Sequence, residues 1–285
     1  MTHRSESMHI DAHQHFWIYN AAEYEWIDDS MNPLRRNFLP EDLQPELEIG
    51  GFDGSVAVQT RQTAEETRWL LDLAERSPWI LGVVGWVDLQ SPDVRSHLKA
   101  LARNPKLVGI RHIVQSEPDD HFLLKPEFLR GVSALEEFDL AYDILIYPKH
   151  LAVAAEFVER FPYQRFVLDH LAKPPIKSGN IKAWAQGMAR LAAFPNVFCK
   201  LSGLVSEADW QHWTPDQITP YLSVAFESFG PDRLMIGSDW PVCLVAASYA
   251  KVIEVVKNYL FQKNLEGQDR ILGGNAQRFW GLGTG

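Results

Sequence analysis

Eight short apolar runs recur along the chain, most of them followed by an amphipathic stretch, and this rhythm limits the possible folds more than any other feature. The runs are Met8–His13, Ser55–Thr60, Ile80–Asp88, Leu107–Ile113, Ala141–Tyr147, Arg165–His170, Val197–Ser202 and Leu234–Asp239. Most are rich in Val, Ile and Leu, as strands buried on both faces of a parallel sheet should be. Between them, Thr63–Arg76 places Trp69, Leu70, Leu73 and Ala74 on one helical face. Pro126–Phe138, His150–Phe161, Ile181–Phe194, Asp216–Phe229 and Ala246–Phe261 follow the same pattern. Strands alternating with helices imply βαβ units, and eight of them point to a closed (β/α)8 TIM barrel of the α/β class. An open doubly wound sheet is the alternative, but no Gly-rich phosphate loop follows the first strand. The 285 residues suit one barrel over residues 8–281, and the 46% of hydrophobic residues supply its core. Residues 16–44 form a long excursion carrying Trp17, Tyr19, Tyr24 and Trp26, expected to cap the barrel mouth. Residues 1–7 are expected to be disordered or loosely attached.

Charge and composition narrow the partners. A net charge of -10 argues against nucleic acid, whose phosphates need a clustered basic face. No apolar run approaches the length of a membrane span. The polar stretch Met1–Ser7 leads into no signal-peptide core, so a cytoplasmic location is expected. Two cysteines, Cys199 and Cys243, make no disulfide framework and fit a reducing compartment. Ten tryptophans are many for this length; most are expected in the core or between subunits, which leaves a homo-oligomer open.

Barrel active sites sit at the C-terminal ends of the strands. Here those ends read Asp11-Ala12-His13-Gln14-His15, Gln59-Thr60-Arg61, Trp86-Val87-Asp88, Arg111-His112, Tyr147-Pro148-Lys149-His150, Asp169-His170, Lys200-Leu201-Ser202 and Ser238-Asp239-Trp240. Polar and ionisable groups gather at nearly every end, which is the pattern of an enzyme. Side chains two apart on a strand share a face, so His13 and His15 can aim together at a metal or a substrate. Arg111 and His112 are adjacent and must face opposite ways, and the sequence does not say which enters the pocket. Gln59 and Tyr147 are candidate hydroxyl binders, and Trp26 and Trp86 are candidate aromatic walls. Lys200, inside an apolar strand, must be internal and hydrogen-bonded. Asp11 is expected to orient His13 from below. His150 is expected to start a helix, and His3, His97, His121 and His212 to lie on the surface.

His13-x-His15, Asp169-His170-Leu171-Ala172-Lys173-Pro174 and Gly237-Ser238-Asp239-Trp240-Pro241 together resemble the amidohydrolase superfamily. The chain is more closely similar to its lactonase branch, which holds sugar lactonases and 2-pyrone-4,6-dicarboxylate lactonase. Cys199-Lys200-Leu201-Ser202-Gly203-Leu204, with Glu207-Ala208-Asp209-Trp210 after it, resembles the sugar-lactonase side, and the likeness runs from about Met8 to Phe279. The resemblance implies that Asp239 is the general base for water and that His13, His15 and His170 surround the carbonyl. Metal-rich amidohydrolases carry a bridging Lys or Glu on strand four and a His at the end of strand five. Strand four here offers Arg111 and His112, and strand five offers Tyr147, so a binuclear centre is not expected. His13, His15 and Asp239 remain a candidate set for one divalent ion such as zinc, with no cofactor required.

The chemistry tolerates that loss, because a lactone is more electrophilic than an amide and has a better leaving group. The expected substrate is a small sugar lactone such as L-fucono-, L-rhamnono- or L-galactonolactone. A dicarboxylate lactone would want several arginines, and only Arg61 and Arg111 stand near strand ends. A metal-dependent decarboxylase on the same barrel would need a fuller ligand set. A binding barrel without catalysis is hard to reconcile with an intact His13, His15, His170 and Asp239.

Overall fold

The computed structural model describes residues 8–263 and 267–283. The expectation for residues 1–7 lies outside the described residues. Eight strands follow one another around a single parallel sheet in the order β1 to β8. They are β1 Ile10–Gln14, β2 Gly54–Val58, β3 Ile80–Gly85, β4 Leu107–His112, β5 Ala141–Ile144, β6 Phe166–Leu168, β7 Val197–Leu201 and β8 Leu234–Ile236. The barrel closes just beyond β8, where the Asp239 amide donates to the His13 carbonyl at 2.9 Å and the His15 amide to the Trp240 carbonyl at 2.7 Å. The fold is the expected (β/α)8 barrel.

Most strands stop short of the runs that suggested them. Asp88, Tyr147, His170, Ser202 and Asp239 all lie past the last paired residue. The chain leaves the ladder there to turn side chains over the barrel mouth, and at His170 and Asp239 it does so with positive φ of 51° and 58°.

The helices on the outside are α1 Pro40–Gly50, α2 Ala64–Arg76, α3 Val94–Leu101, α4 Pro126–Ser133, α5 Leu151–Glu159, α6 Ile181–Ala192, α7 Pro215–Phe229 and α8 Tyr249–Gln262. The apolar stripe explains each one. In α3, which the sequence reading passed over, Val94, Leu98 and Leu101 are buried at spacings of four and three. The stretch expected as one helix over Pro126–Phe138 is interrupted after Ser133 and resumes as a short 3-10 turn at Glu136–Phe138. Among the described residues no helix is long and apolar enough to cross a membrane.

A short terminal helix, α9 Asn275–Trp280, sends Phe279 and Trp280 into the interior cluster with Ile10, Val56, Val84 and Met235. Arg165, just before β6, donates to the Phe279 carbonyl, which places this plug at the N-terminal ends of the strands. The interior is therefore filled from below, and the opening lies at the other end.

The excursion after β1 is shorter than expected. Its base is pinned where Trp17 and Phe38 exchange backbone hydrogen bonds at 2.9 Å, and α1 already begins at Pro40. Residues 40–44 thus belong to a barrel helix, with Pro at the first helical position where its missing N–H costs nothing.

Candidate active site

Strand β1 and the residue just past it bring the imidazoles of His13 and His15 to one point, with their Nε2 atoms 3.1 Å apart. Each ring is oriented from behind. His15 Nδ1 donates to the Val58 carbonyl at 2.8 Å, which leaves its Nε2 lone pair facing the cavity. His13 Nδ1 faces Asp169 Oδ1 at 3.4 Å and Lys200 Nζ at 3.2 Å. His170 arrives from the turn after β6, with Nδ1 2.8 Å from Ser202 Oγ. A hydroxyl either donates or accepts, so that contact suits both tautomers of His170.

Asp239 stands among the three rings. Its Oδ1 is 3.3 Å from His15 Nε2, 3.7 Å from His170 Nε2 and 3.9 Å from His13 Nε2. Burial opposes its ionisation, but its contacts with the His170, His15 and His13 rings together hold the carboxyl below its ordinary value. Burial pulls His170 down to about 4 and His13 well below its ordinary value, so both rings are neutral near pH 7.

This convergence has a backbone cost. His170, Leu171, Ala172 and Lys173 are four consecutive non-glycine residues with φ of 51° to 55°, a left-handed turn. Each such residue costs about 1–2 kcal/mol. Room for the rings comes from glycines. A Cβ on Gly203 would lie 2.6 Å from the His170 ring, and one on Gly237 would lie 2.8 Å from His13 Cβ.

Under the rings lies a set of charges that sequence reading found only in part. Lys200 Nζ pairs with Asp143 Oδ2 and, at 3.0 Å, with Asp169 Oδ1. Arg111 donates to Asp169 Oδ2 at 2.9 Å and to the Gln59 carbonyl, and Gln59 Nε2 returns a bond to the Arg111 carbonyl at 3.1 Å. Burial pushes the Asp143 carboxyl up to about 6, while Lys200, His13 and Arg111 outweigh burial at Asp169 and hold it well down.

A cavity of about 420 Å³ opens above this set. His15, Arg111, Tyr147, His170, Asp239 and Trp26 line it, six of the residues expected there. Others do not. Arg111 is the member of its pair that faces inward. His112 lies on the outer side, stacked on Phe122 at 4.7 Å and bonded to Glu117 at 2.7 Å, because adjacent strand residues face opposite ways. Trp86 also lies outside, its amide held by Thr67 of α2 and its indole N–H donating to His112 at 3.4 Å. Gln59 is fully buried, engaged with Arg111 rather than lining the cavity. Asp11 does not touch the His13 ring; it accepts from the backbone amides of His13 and Ser238 and so ties β1 to the end of β8.

The aromatic cap is also narrower than expected. Trp17 is fully buried, edge-on to Phe38 at 5.3 Å, and of the four expected aromatics only Trp26 reaches the cavity. Trp210 lines it as well, with Lys173, Glu207 and Gln115, and to these last three the sequence had given no role there. Gln115 Oε1 is buried without a protein partner.

The donor set fits a metal ion. His13, His170 and Asp239 each offer a ligand atom within 4.8 Å of the others, and His15 Nε2 adds a fourth beside them. Tetrahedral zinc places ligand atoms about 3.3 Å apart, close to the spacings of His15 from His13 and Asp239. Neutral imidazoles are the form such an ion requires.

The amidohydrolase family profile matches residues 10–282. The chain belongs to this family. An L-fucono-1,5-lactonase of Burkholderia ambifaria is 40% identical over 278 residues, 95% of this chain and 94% of the relative. An L-fucono-1,5-lactonase of Burkholderia multivorans is 40% identical over 288 residues, 97% of each chain. A crystal structure of a Burkholderia multivorans amidohydrolase with bound zinc superposes on this amidohydrolase with a TM-score of 0.93 and 40% identity, over 96% of this chain and 99% of that one.

Proposed function

We infer that this amidohydrolase hydrolyses a sugar lactone to the free sugar acid, with a six-carbon aldonolactone such as L-fucono-1,5-lactone as substrate. The observation that carries the reading is the Asp239 carboxylate set among three imidazoles in a cavity with Trp26, Tyr147 and Trp210 on its walls, in a chain 40% identical to L-fucono-1,5-lactonases. Aromatic faces pack against the C–H faces of sugars, and convergent polar groups address hydroxyls.

In the proposed reaction a water sits against Asp239 Oδ1. Asp239 takes one proton as the water oxygen adds to the lactone carbonyl. Without a bound ion the oxyanion accepts from His170 Nε2–H, the tautomer present when Ser202 donates to Nδ1. Collapse breaks the bond to the ring oxygen, which receives the proton from Asp239, and the new carboxylic acid ionises in water. His13, His15, His170 and Asp239 would hold one divalent ion, zinc being the proposed identity. Such an ion would polarise the carbonyl and acidify the water. Because a lactone needs little such help, removal of the ion by a chelator is expected to cost less than about tenfold in kcat.

Charge disfavours a pyrone dicarboxylate. Arg111 is engaged with Asp169 and Gln59, and Lys173 is paired with Glu207, so among the described residues two buried carboxylates would find no cation that lacks a carboxylate partner. The test is kcat/KM for proton release from L-fucono-1,5-lactone and for ring opening of 2-pyrone-4,6-dicarboxylate in one buffer. The aldonolactone is expected to be much the better substrate, and a preference for the dicarboxylate would overturn the sugar assignment.

A further inference from the structure

Among the described residues two full cations line the cavity, and they are not equivalent. Arg111 is 3% exposed and committed to Asp169 and the Gln59 carbonyl. Lys173 Nζ lies 3.2 Å from Glu207 Oε1, and the two side chains are 21% and 23% exposed. It also lies 5.7 Å from the centre of the Tyr147 ring. A partly exposed ion pair of this kind contributes little to stability. Yet both of its ends are held with care. Lys173 ends the left-handed turn, and its amide donates to the His170 carbonyl at 2.7 Å. Glu207 ends the 3-10 turn Val205–Glu207 after β7, and its carbonyl accepts from the Lys177 amide at 3.2 Å. Lys173 stands at the end of the strained turn that places His170, and an ion pair of small structural worth fixed beside the reacting groups on the cavity wall points to a ligand.

We propose that Lys173 and Glu207 together read two adjacent hydroxyls of the lactone. Lys173 donates to one hydroxyl oxygen, and Glu207 accepts the proton of its neighbour. The inference rests on the sugar-lactone reading of the site and specifies how the sugar is recognised. The nitrogen–oxygen separation is close to the spacing of two gauche hydroxyl oxygens on neighbouring carbons. An ammonium only donates and a carboxylate only accepts, so the pair fixes the direction of both bonds. Lys173 and His170 leave the same short turn, so the diol is read at a set position relative to the reacting carbonyl. Tyr147 and Trp210 line the same cavity and offer apolar surface to the carbons between.

The test compares kcat/KM for L-fucono-1,5-lactone with that for δ-valerolactone, which has no hydroxyls, in wild type, Lys173→Met and Glu207→Gln. Glu207→Gln keeps the shape and removes the charge, which guards against misfolding. A hydrogen bond to a charged group is worth about 10–100-fold. The ratio of the two kcat/KM values is expected to fall by that factor in each variant, through KM more than kcat. A parallel fall on both lactones, with the ratio unchanged, would mark a structural role and overturn the proposal, as would no change on either. A wild-type chain that opens neither lactone would overturn the lactonase reading itself, and this proposal with it.

Discussion

The floor and the wall of the cavity are both charged, but they are built on different terms. On the floor, Asp143, Asp169 and Lys200 are fully buried, and Arg111 nearly so. Two carboxylates and two cations there neutralise one another, and their hydrogen bonds end on His13, Gln59 and each other. On the wall, Trp26 is 42% and Tyr147 38% exposed, and Lys173 and Glu207 stay within reach of solvent. The floor charges are thus paired before any substrate arrives, although Arg111 Nε and Asp143 Oδ1 keep no hydrogen-bond partner, and their work is to hold the His13 ring in place. The wall has unfilled valence and apolar surface, and its work is to take a ligand. A charge set this deep is weak evidence for stability in itself, since desolvation offsets the attraction, but breaking it leaves an unpaired charge.

The sharpest way to break the comparison is to remove one floor charge. Lys200→Met leaves Asp143 and Asp169 facing each other without their shared cation and is expected to cost about 3–5 kcal/mol in stability. Urea denaturation measures this directly, and a loss under 1 kcal/mol would show that the floor is not the paired set described.

Acid titration is the next in size. Unfolded, a His takes up its proton near pH 6.5, whereas buried His170 does so only near 4. Between those values the unfolded state binds more protons, so this group's contribution to stability falls as pH falls, by about 3 kcal/mol in all. Asp11 and Asp143, both pushed up to about 6, act with the opposite sign between roughly 3.8 and 6 and flatten the total profile. The difference between metal-free wild type and His170→Asn isolates the ring. The variant is expected to gain on wild type as pH drops from 7 to 4, and a difference that does not vary with pH would contradict a neutral buried His170.

The smallest effect belongs to the wall. Trp26→Ala removes a half-exposed ring and is expected to change stability by less than about 1 kcal/mol while raising KM several-fold. Equal losses in stability at Trp26 and Lys200 would erase the distinction between the two regions.

The barrel was legible because hydrophobic periodicity is local, and the histidine pair and Asp239 because their strand-end positions follow from the fold. What escaped depends on facing or on contacts across the barrel. Trp86 was expected in the pocket, and the choice between Arg111 and His112 stayed open, because strand-end position alone does not give the side of the sheet. Lys200 announced a need for partners, but Asp143 is 57 residues away and is brought to it only by strand register. Lys173 stood inside the Asp169-His170-Leu171-Ala172-Lys173-Pro174 motif, and no propensity rule foresees four left-handed residues that swing it back to the site. The cap was overdrawn because Trp17 and Tyr24 are amphipathic residues whose sequence suits a core as well as a sugar face.

The central claim is that Asp239 activates the water that opens the lactone. It is tested most directly by the initial rate of proton release from L-fucono-1,5-lactone in Asp239→Asn, with Tm measured beside wild type. Asn keeps the shape and cannot take the proton, so kcat is expected to fall by about 10³-fold or more while Tm stays within a few degrees. Turnover close to wild type in a folded Asp239→Asn would contradict the account.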